Sequence, residues 1–137
     1  RVVVSSERRE GIDLRTALAA LCRGIPEPVV SLQVDDALAL TTPALAHTLF
    51  FCVQEGLTNA VRHAGATGLA IALHVEQAHV HLTIQDNGTG LRSAEEGNGL
   101  RGMRERLALY GGTLALGQGD KGGCKLAIRL PLAGSTA

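Results

Sequence analysis

Gln54-Glu55-Gly56-Leu57-Thr58-Asn59-Ala60-Val61-Arg62-His63 is the stretch on which the reading of this chain turns. At 100° per residue, Glu55, Asn59 and Arg62 fall within about 60° of one another on a helix, and His63 borders them. The opposite arc carries Leu49, Phe50, Val53, Leu57, Ala60, Val61 and Ala64, and Leu45 adds an apolar residue at its edge. This pattern predicts a core helix whose exposed stripe holds an acid, an amide and one or two cations. A carboxylate, a neutral oxygen ligand and positive charge at one-turn spacing suit a metal-bound phosphate. Taken alone, the same stripe reads as a solvated face with an incidental pair at i and i+3. Residues further along the chain decide between the two.

Working outward, Thr42-Pro43 starts this helix with Pro at the first helical position, and Gly65 ends it after Ala64. Upstream, Asp13 is read as the N-cap of a helix through Leu14, Ala17, Leu18 and Leu21, stopped by Gly24. Val2-Val3-Val4 reads as an edge strand, and Val29 to Val34 alternates as a strand after Pro26 and Pro28. Downstream, Leu69 to Val75 and His79 to Ile84 flank a short turn at Gln77-Ala78 and predict an antiparallel hairpin. His74, His79 and His81 raise a metal cluster, but no Cys or acid joins them at ligand spacing, so they read as half-exposed strand histidines. A helix from Met103 to Tyr110 is stopped by Gly111-Gly112. Thr113 to Leu116 and Cys124 to Leu130 then form a last hairpin, and the residues after Pro131 are expected to fray.

Composition sets the limits. The chain of 137 residues is read as one domain, with a core at about residues 11–132 and no internal repeat or linker. With no Trp, one Tyr and two Phe, that core must come from Ala, Leu, Val and Ile. Thirteen basic and thirteen acidic side chains cancel, so no overall field favours nucleic acid or an anionic membrane, and any anion site must be local. Cys22, Cys52 and Cys124 are odd in number and form no CxxC pair. They read as reduced thiols of a cytoplasmic protein, with Cys52 packed beside the apolar arc. No apolar run reaches membrane-spanning length, and the start at Arg1 rather than Met is consistent with a piece of something longer.

Three glycine-rich stretches lie between Asp86 and Gly123, each beside a strand or helix. Glycine lets a ligand approach the backbone, so together they describe a wall of main-chain N–H groups. The helix opened by Gly97-Asn98-Gly99-Leu100-Arg101-Gly102 aims its first N–H groups at the preceding loop, which suits a phosphate. Gly97-x-Gly99-x-x-Gly102 also matches the dinucleotide fingerprint, but that needs a strand ending at the first Gly. Here ten residues intervene, and the later strands form a hairpin rather than a parallel crossover. The Walker pattern is absent. Asp86, before Asn87-Gly88-Thr89-Gly90, reads by itself as a turn former; held in a pocket, it is an acceptor for an amine such as that of adenine.

Together these segments resemble the ATP-binding catalytic domain of sensor histidine kinases, within the gyrase, chaperone, histidine kinase and mismatch-repair ATPase superfamily. Gln54 to Ala64 looks like that family's N box, in the form seen in nitrate-sensor and lipid-fluidity-sensor kinases. Asp86 to Gly90 looks like the first glycine box, Gly97 to Arg106 the second, and Gly122-Gly123-Cys124 to Pro131 the last. The resemblance implies a two-layer α/β sandwich of the Bergerat type, a mixed sheet with helices on one face. It implies ATP and Mg²⁺ as cofactors, with Asn59 and Glu55 at the metal. Glu55 would polarise the nucleophile or a water, and Arg62 and His63 would lie near the phosphates. Asp86 would take the adenine amine, and Gly88 and Gly90 would shape the base pocket. Gly97, Gly99, Leu100, Arg101 and Gly102 would close over the triphosphate.

Two departures stand out. Cys124 occupies a position where the family usually offers Thr, so a hydroxyl that orders a water near adenine is replaced by a weaker donor. None of His47, His63, His74, His79 or His81 has the setting of a phosphoacceptor, a His followed by Asp on a dimerising helix. The partners implied are therefore a separate dimerising phosphoacceptor domain of the same kinase and a response regulator, with no nucleic acid and no direct membrane contact. The alternative is an anti-sigma-factor serine kinase of the same superfamily; Arg62-His63 and the Leu100-Arg101-Gly102-Met103-Arg104-Glu105-Arg106 helix favour the histidine kinase. A scaffold that lost activity is disfavoured by the presence of Glu55, Asn59 and Asp86 together.

Overall fold

A computed structural model describes residues 14–25, 29–35, 42–60, 68–87, 98–119 and 123–132. The elements run α1 (Leu14–Arg23), β1 (Val29–Val34), α2 (Pro43–Asn59), β2 (Gly68–Glu76), β3 (His79–Asp86), α3 (Asn98–Ala108), β4 (Thr113–Gln118) and β5 (Cys124–Pro131). Val2 to Val4, Asp13 and Gly65 lie outside the described residues.

The five strands form one mixed sheet in the order β1-β2-β3-β5-β4. Only β1 and β2 are parallel; the other neighbours are antiparallel. Register lines up the apolar positions of successive strands, Ile71 beside Ile84 beside Leu126 and Leu73 beside Leu82 beside Ile128. Because side chains alternate across a strand, these rows all face one way. They bury against Leu45, Leu49, Val53 and Leu57 of α2, Leu14 and Leu18 of α1, and Leu100, Met103 and Leu107 of α3. The architecture is the expected α/β one, an aliphatic core beneath a mixed sheet.

Local chemistry accounts for the element ends. Thr42 caps α2, its Oγ1 accepting from the Leu45 N–H at 3.3 Å, with Pro43 filling the first helical position. Gly111 (φ +78°) follows α3 in the left-handed conformation that lets the chain turn back into β4. The β2–β3 turn places Gln77 and Ala78 at φ 53° and 63°, although neither is glycine. The glycine segment before Met103 is partly helix: α3 already includes Asn98 to Gly102, and it ends at Ala108 rather than Tyr110. Once Leu100 buries with Met103 and Leu107, the first turn gains core contacts that glycine's poor helix propensity would not predict.

Candidate functional site

The site begins with one break in a regular pattern. Val80, Leu82, Ile84 and Asp86 occupy the same face of β3, and all four are buried. Alternation therefore carries a carboxylate into the last position of an aliphatic row, opposite Leu69 of β2 and only 8 % exposed. A buried carboxylate costs free energy unless hydrogen bonds replace its water. One is supplied by β5, where the Cys124 N–H donates to Asp86 Oδ1 at 3.3 Å. Asn87, one residue on, closes the end of the β2–β3 pair: its Oδ1 accepts from the Gly68 N–H at 2.9 Å.

Gly123 is what allows this arrangement. A Cβ built there would overlap both the main-chain oxygen and the carboxylate of Asp86. Only a residue without a side chain lets β5 approach so near. Asp86 and Cys124 then share a recess with Leu69, Ile84 and Leu126 from the sheet and Gly56, Asn59 and Ala60 from the end of α2. The recess is narrow, about 20 Å³ in volume, room for about one water-sized group. Counting its open mouth, the unfilled space is about 300 Å³. Aliphatic walls with a carboxylate among them offer the contacts that a flat apolar ring carrying an amine would use, once the walls part to admit it.

The first turn of α3 meets the polar stripe of α2. A Cβ at Gly99 would stand 2.7 Å from Glu55 Oε1 and 4.0 Å from Asn59 Oδ1. This puts an acid, an amide oxygen and the N-terminal N–H groups of a helix side by side, next to the recess that Asn59 also lines. Two contacts fix α3 in that position. Arg104 donates to the Leu114 carbonyl at 2.7 Å, and the Arg106 guanidinium lies 4.3 Å above the Phe51 ring of α2. Beneath the stripe, burial pushes the Cys52 thiol up to about 12, with Glu55 adding to the shift and Arg106 opposing it. Cys52 is a core residue.

Of the residues expected at the site, Glu55, Asn59, Asp86, Gly99 and Cys124 come together here. Leu100 is buried in the core, so anything it offers a ligand must come from its main chain, and Arg101 is exposed. Gly102 lies against Phe51 and lines a separate groove with His47, Thr48 and Tyr110. Arg62, His63, Gly88, Gly90 and Gly97 lie outside the described residues. Sequence reasoning does not mark the apolar walls Leu69, Ile84 and Leu126. The signal was present, since the period-two pattern of β3 runs on to Asp86.

Comparison with known proteins bears on this geometry. Residues 45–134 match the family described as histidine kinase-, DNA gyrase B-, and HSP90-like ATPase. The chain belongs to that family. This histidine kinase-like ATPase domain is 37% identical over 90 residues to the sensor histidine kinase YxjM of Bacillus subtilis (strain 168), covering 66% of this chain and 22% of that protein. It is 34% identical over 122 residues to the sensor histidine kinase MctS of Rhizobium johnstonii, covering 82% of this chain and 26% of that one. It thus spans about a quarter of the length of these relatives. Among solved structures, the ATP binding domain of PrrB from Mycobacterium tuberculosis superposes with a TM-score of 0.67 at 31% identity, over 88% of this chain and 92% of that one. The fold is therefore that of an ATP-binding domain of this family.

Proposed function

We propose that this domain binds Mg-ATP and transfers the γ-phosphoryl group to a histidine on a separate dimerising domain, from which it passes to a response regulator. The observation that carries the reading is the buried carboxylate of Asp86 in a mostly apolar recess that Asn59 also lines, with Gly99 against Glu55. The resemblance to sensor histidine kinases along most of the chain supports the same assignment.

In this reading Asp86 accepts the adenine amine while Leu69, Ile84 and Leu126 enclose the ring. The main-chain N–H groups at the start of α3 donate to phosphate oxygens, and Arg62 and His63 supply positive charge nearby. Asn59 and Glu55 offer the oxygen ligands for magnesium, a hard cation that takes oxygen donors. Bound there, the ion would neutralise charge across the phosphates and hold them for in-line transfer. Glu55 would also accept a hydrogen bond from the incoming nucleophile and orient it. Residues 1–137 form one catalytic unit that works on the cytoplasmic side, with the acceptor histidine on another domain. No described helix is long and apolar enough to cross a membrane.

Titration calorimetry with ATP, with and without Mg²⁺, tests the binding step. Wild type is expected to bind, and Asn59→Ala to lose the Mg²⁺ dependence; failure of the wild type to bind would overturn the proposal. Incubation with a dimerising domain and labelled ATP tests the transfer. Label on a histidine supports the assignment, whereas label only on a serine of an antagonist protein would transfer it to the anti-sigma-factor kinases.

A further inference from the structure

At the opposite end of β3, three side chains converge on the sheet face turned away from the core. His74 and Glu76 project from β2 two residues apart, and His81 of β3 stands in register with His74. The ligating atoms of His74, Glu76 and His81 all lie within 4.8 Å of one another. His74 Nε2 is 3.4 Å from Glu76 Oε1, and the two imidazoles stack with centroids 5.0 Å apart and planes 14° from parallel. Along the sequence the histidines lacked an acid at ligand spacing. That reading is corrected here: Glu76 shares the face of His74 two residues on, and antiparallel pairing sets both beside His81.

We propose that His74, Glu76 and His81 form a binding site for Zn²⁺. Two imidazoles and a carboxylate are a donor set that zinc accepts, with a water completing the tetrahedron. Zinc–nitrogen bonds of about 2.1 Å place tetrahedral ligands roughly 3.3 Å apart. The present separations, up to 4.8 Å, therefore need to close by at most about 1.5 Å, which rotation of exposed side chains provides. His74 and Glu76 are more than half exposed, so little packing resists that rotation. His79 stands opposite Glu76, its Nδ1 3.0 Å from the Gln77 carbonyl oxygen, and lies outside the ligand set. Arg129 of β5, in register with His81, is the opposing charge and keeps the affinity moderate.

A metal here would clip β2 to β3 beside a turn that holds two non-glycine residues at positive φ. Asp86 lies five residues further along β3, roughly 17 Å away at about 3.4 Å per residue, so the site is independent of the nucleotide reading. Calorimetric titration of the full chain with Zn²⁺ at pH 7.5, in a buffer that does not chelate it, is the test. One equivalent is expected to bind with a Kd of about 1–30 µM, on the order of −6 to −8 kcal/mol, and to raise the melting temperature. His74→Gln and His81→Gln should each weaken binding at least tenfold, and Glu76→Gln at least threefold, with unchanged circular dichroism and unchanged ATP binding. Absence of binding at 100 µM Zn²⁺ would overturn the proposal. So would a Kd indifferent to the histidine or Glu76 substitutions, which would place the ion elsewhere.

Discussion

Asp86 is the residue whose chemistry is least like its surroundings. It continues an aliphatic row and is held by the Cys124 N–H, so removing its charge should affect ligand affinity more than the fold. Asp86→Asn is expected to weaken ATP binding tenfold or more while the melting temperature moves by only a few degrees; calorimetry and circular dichroism measure the two separately. Wild-type affinity in that variant would refute the adenine assignment. Cys124 is subtler, because a hydroxyl donates a better hydrogen bond than a thiol. Cys124→Thr should tighten ATP binding about two- to fivefold in the same titration. Cys52 gives a pH signature. Its folded pKa, about 12, stands above the ordinary thiol value, so its contribution to stability is fully present below about pH 9 and is lost as the pH rises towards 12. Urea denaturation across that window should show a loss of about 1.4 kcal/mol per unit that disappears in Cys52→Ala. An equal slope in the variant would exclude this cause.

At the level of elements, the β4–β5 hairpin and the start of α3 bring glycines to the places where other segments of the chain approach. Gly123 sits where a Cβ would overlap Asp86, whereas Gly117, earlier in the same hairpin, has open space around it. Gly123→Ala should therefore cost about 1–3 kcal/mol and reduce ATP affinity as Asp86 is displaced. Gly117→Ala should leave the affinity unchanged and shift stability by about 1 kcal/mol at most. Equal behaviour of the two variants in urea melts would mean that Gly123 is not a contact point. Helix and strand identities were legible here because apolar spacing and stop signals agree, as in Thr42-Pro43 before α2 and Gly111-Gly112 after α3. The start of α3 was less legible. Gly99 and Gly102 have low helix propensity, and only the burial of Leu100 against the core draws them into the helix.

For the whole molecule, the proposed site lies where α2, α3, β3 and β5 meet, so ligand binding and folding are linked. Mg-ATP at a hundred times its Kd should stabilise the domain by about 2.7 kcal/mol, seen as a rise in melting temperature that a tenfold loss of affinity in Asp86→Asn cuts to about half at the same concentration. Chain order alone determined a good deal: an α/β protein with an aliphatic core, a helix with an acid-amide stripe, and glycine segments in the order of an ATP-binding domain. Those features are periodic or local, so a helix or strand carries them before it packs. Tertiary structure decided the rest. That Asp86 is buried rather than a solvated turn, that Gly123 gives way to it, and that Glu55 meets Gly99 all depend on strands and helices from distant parts of the chain. His81 joining His74 and Glu76 is the same kind of fact. Strand register sets which residues become neighbours across a sheet, and register is a property of the paired chains rather than of either strand alone.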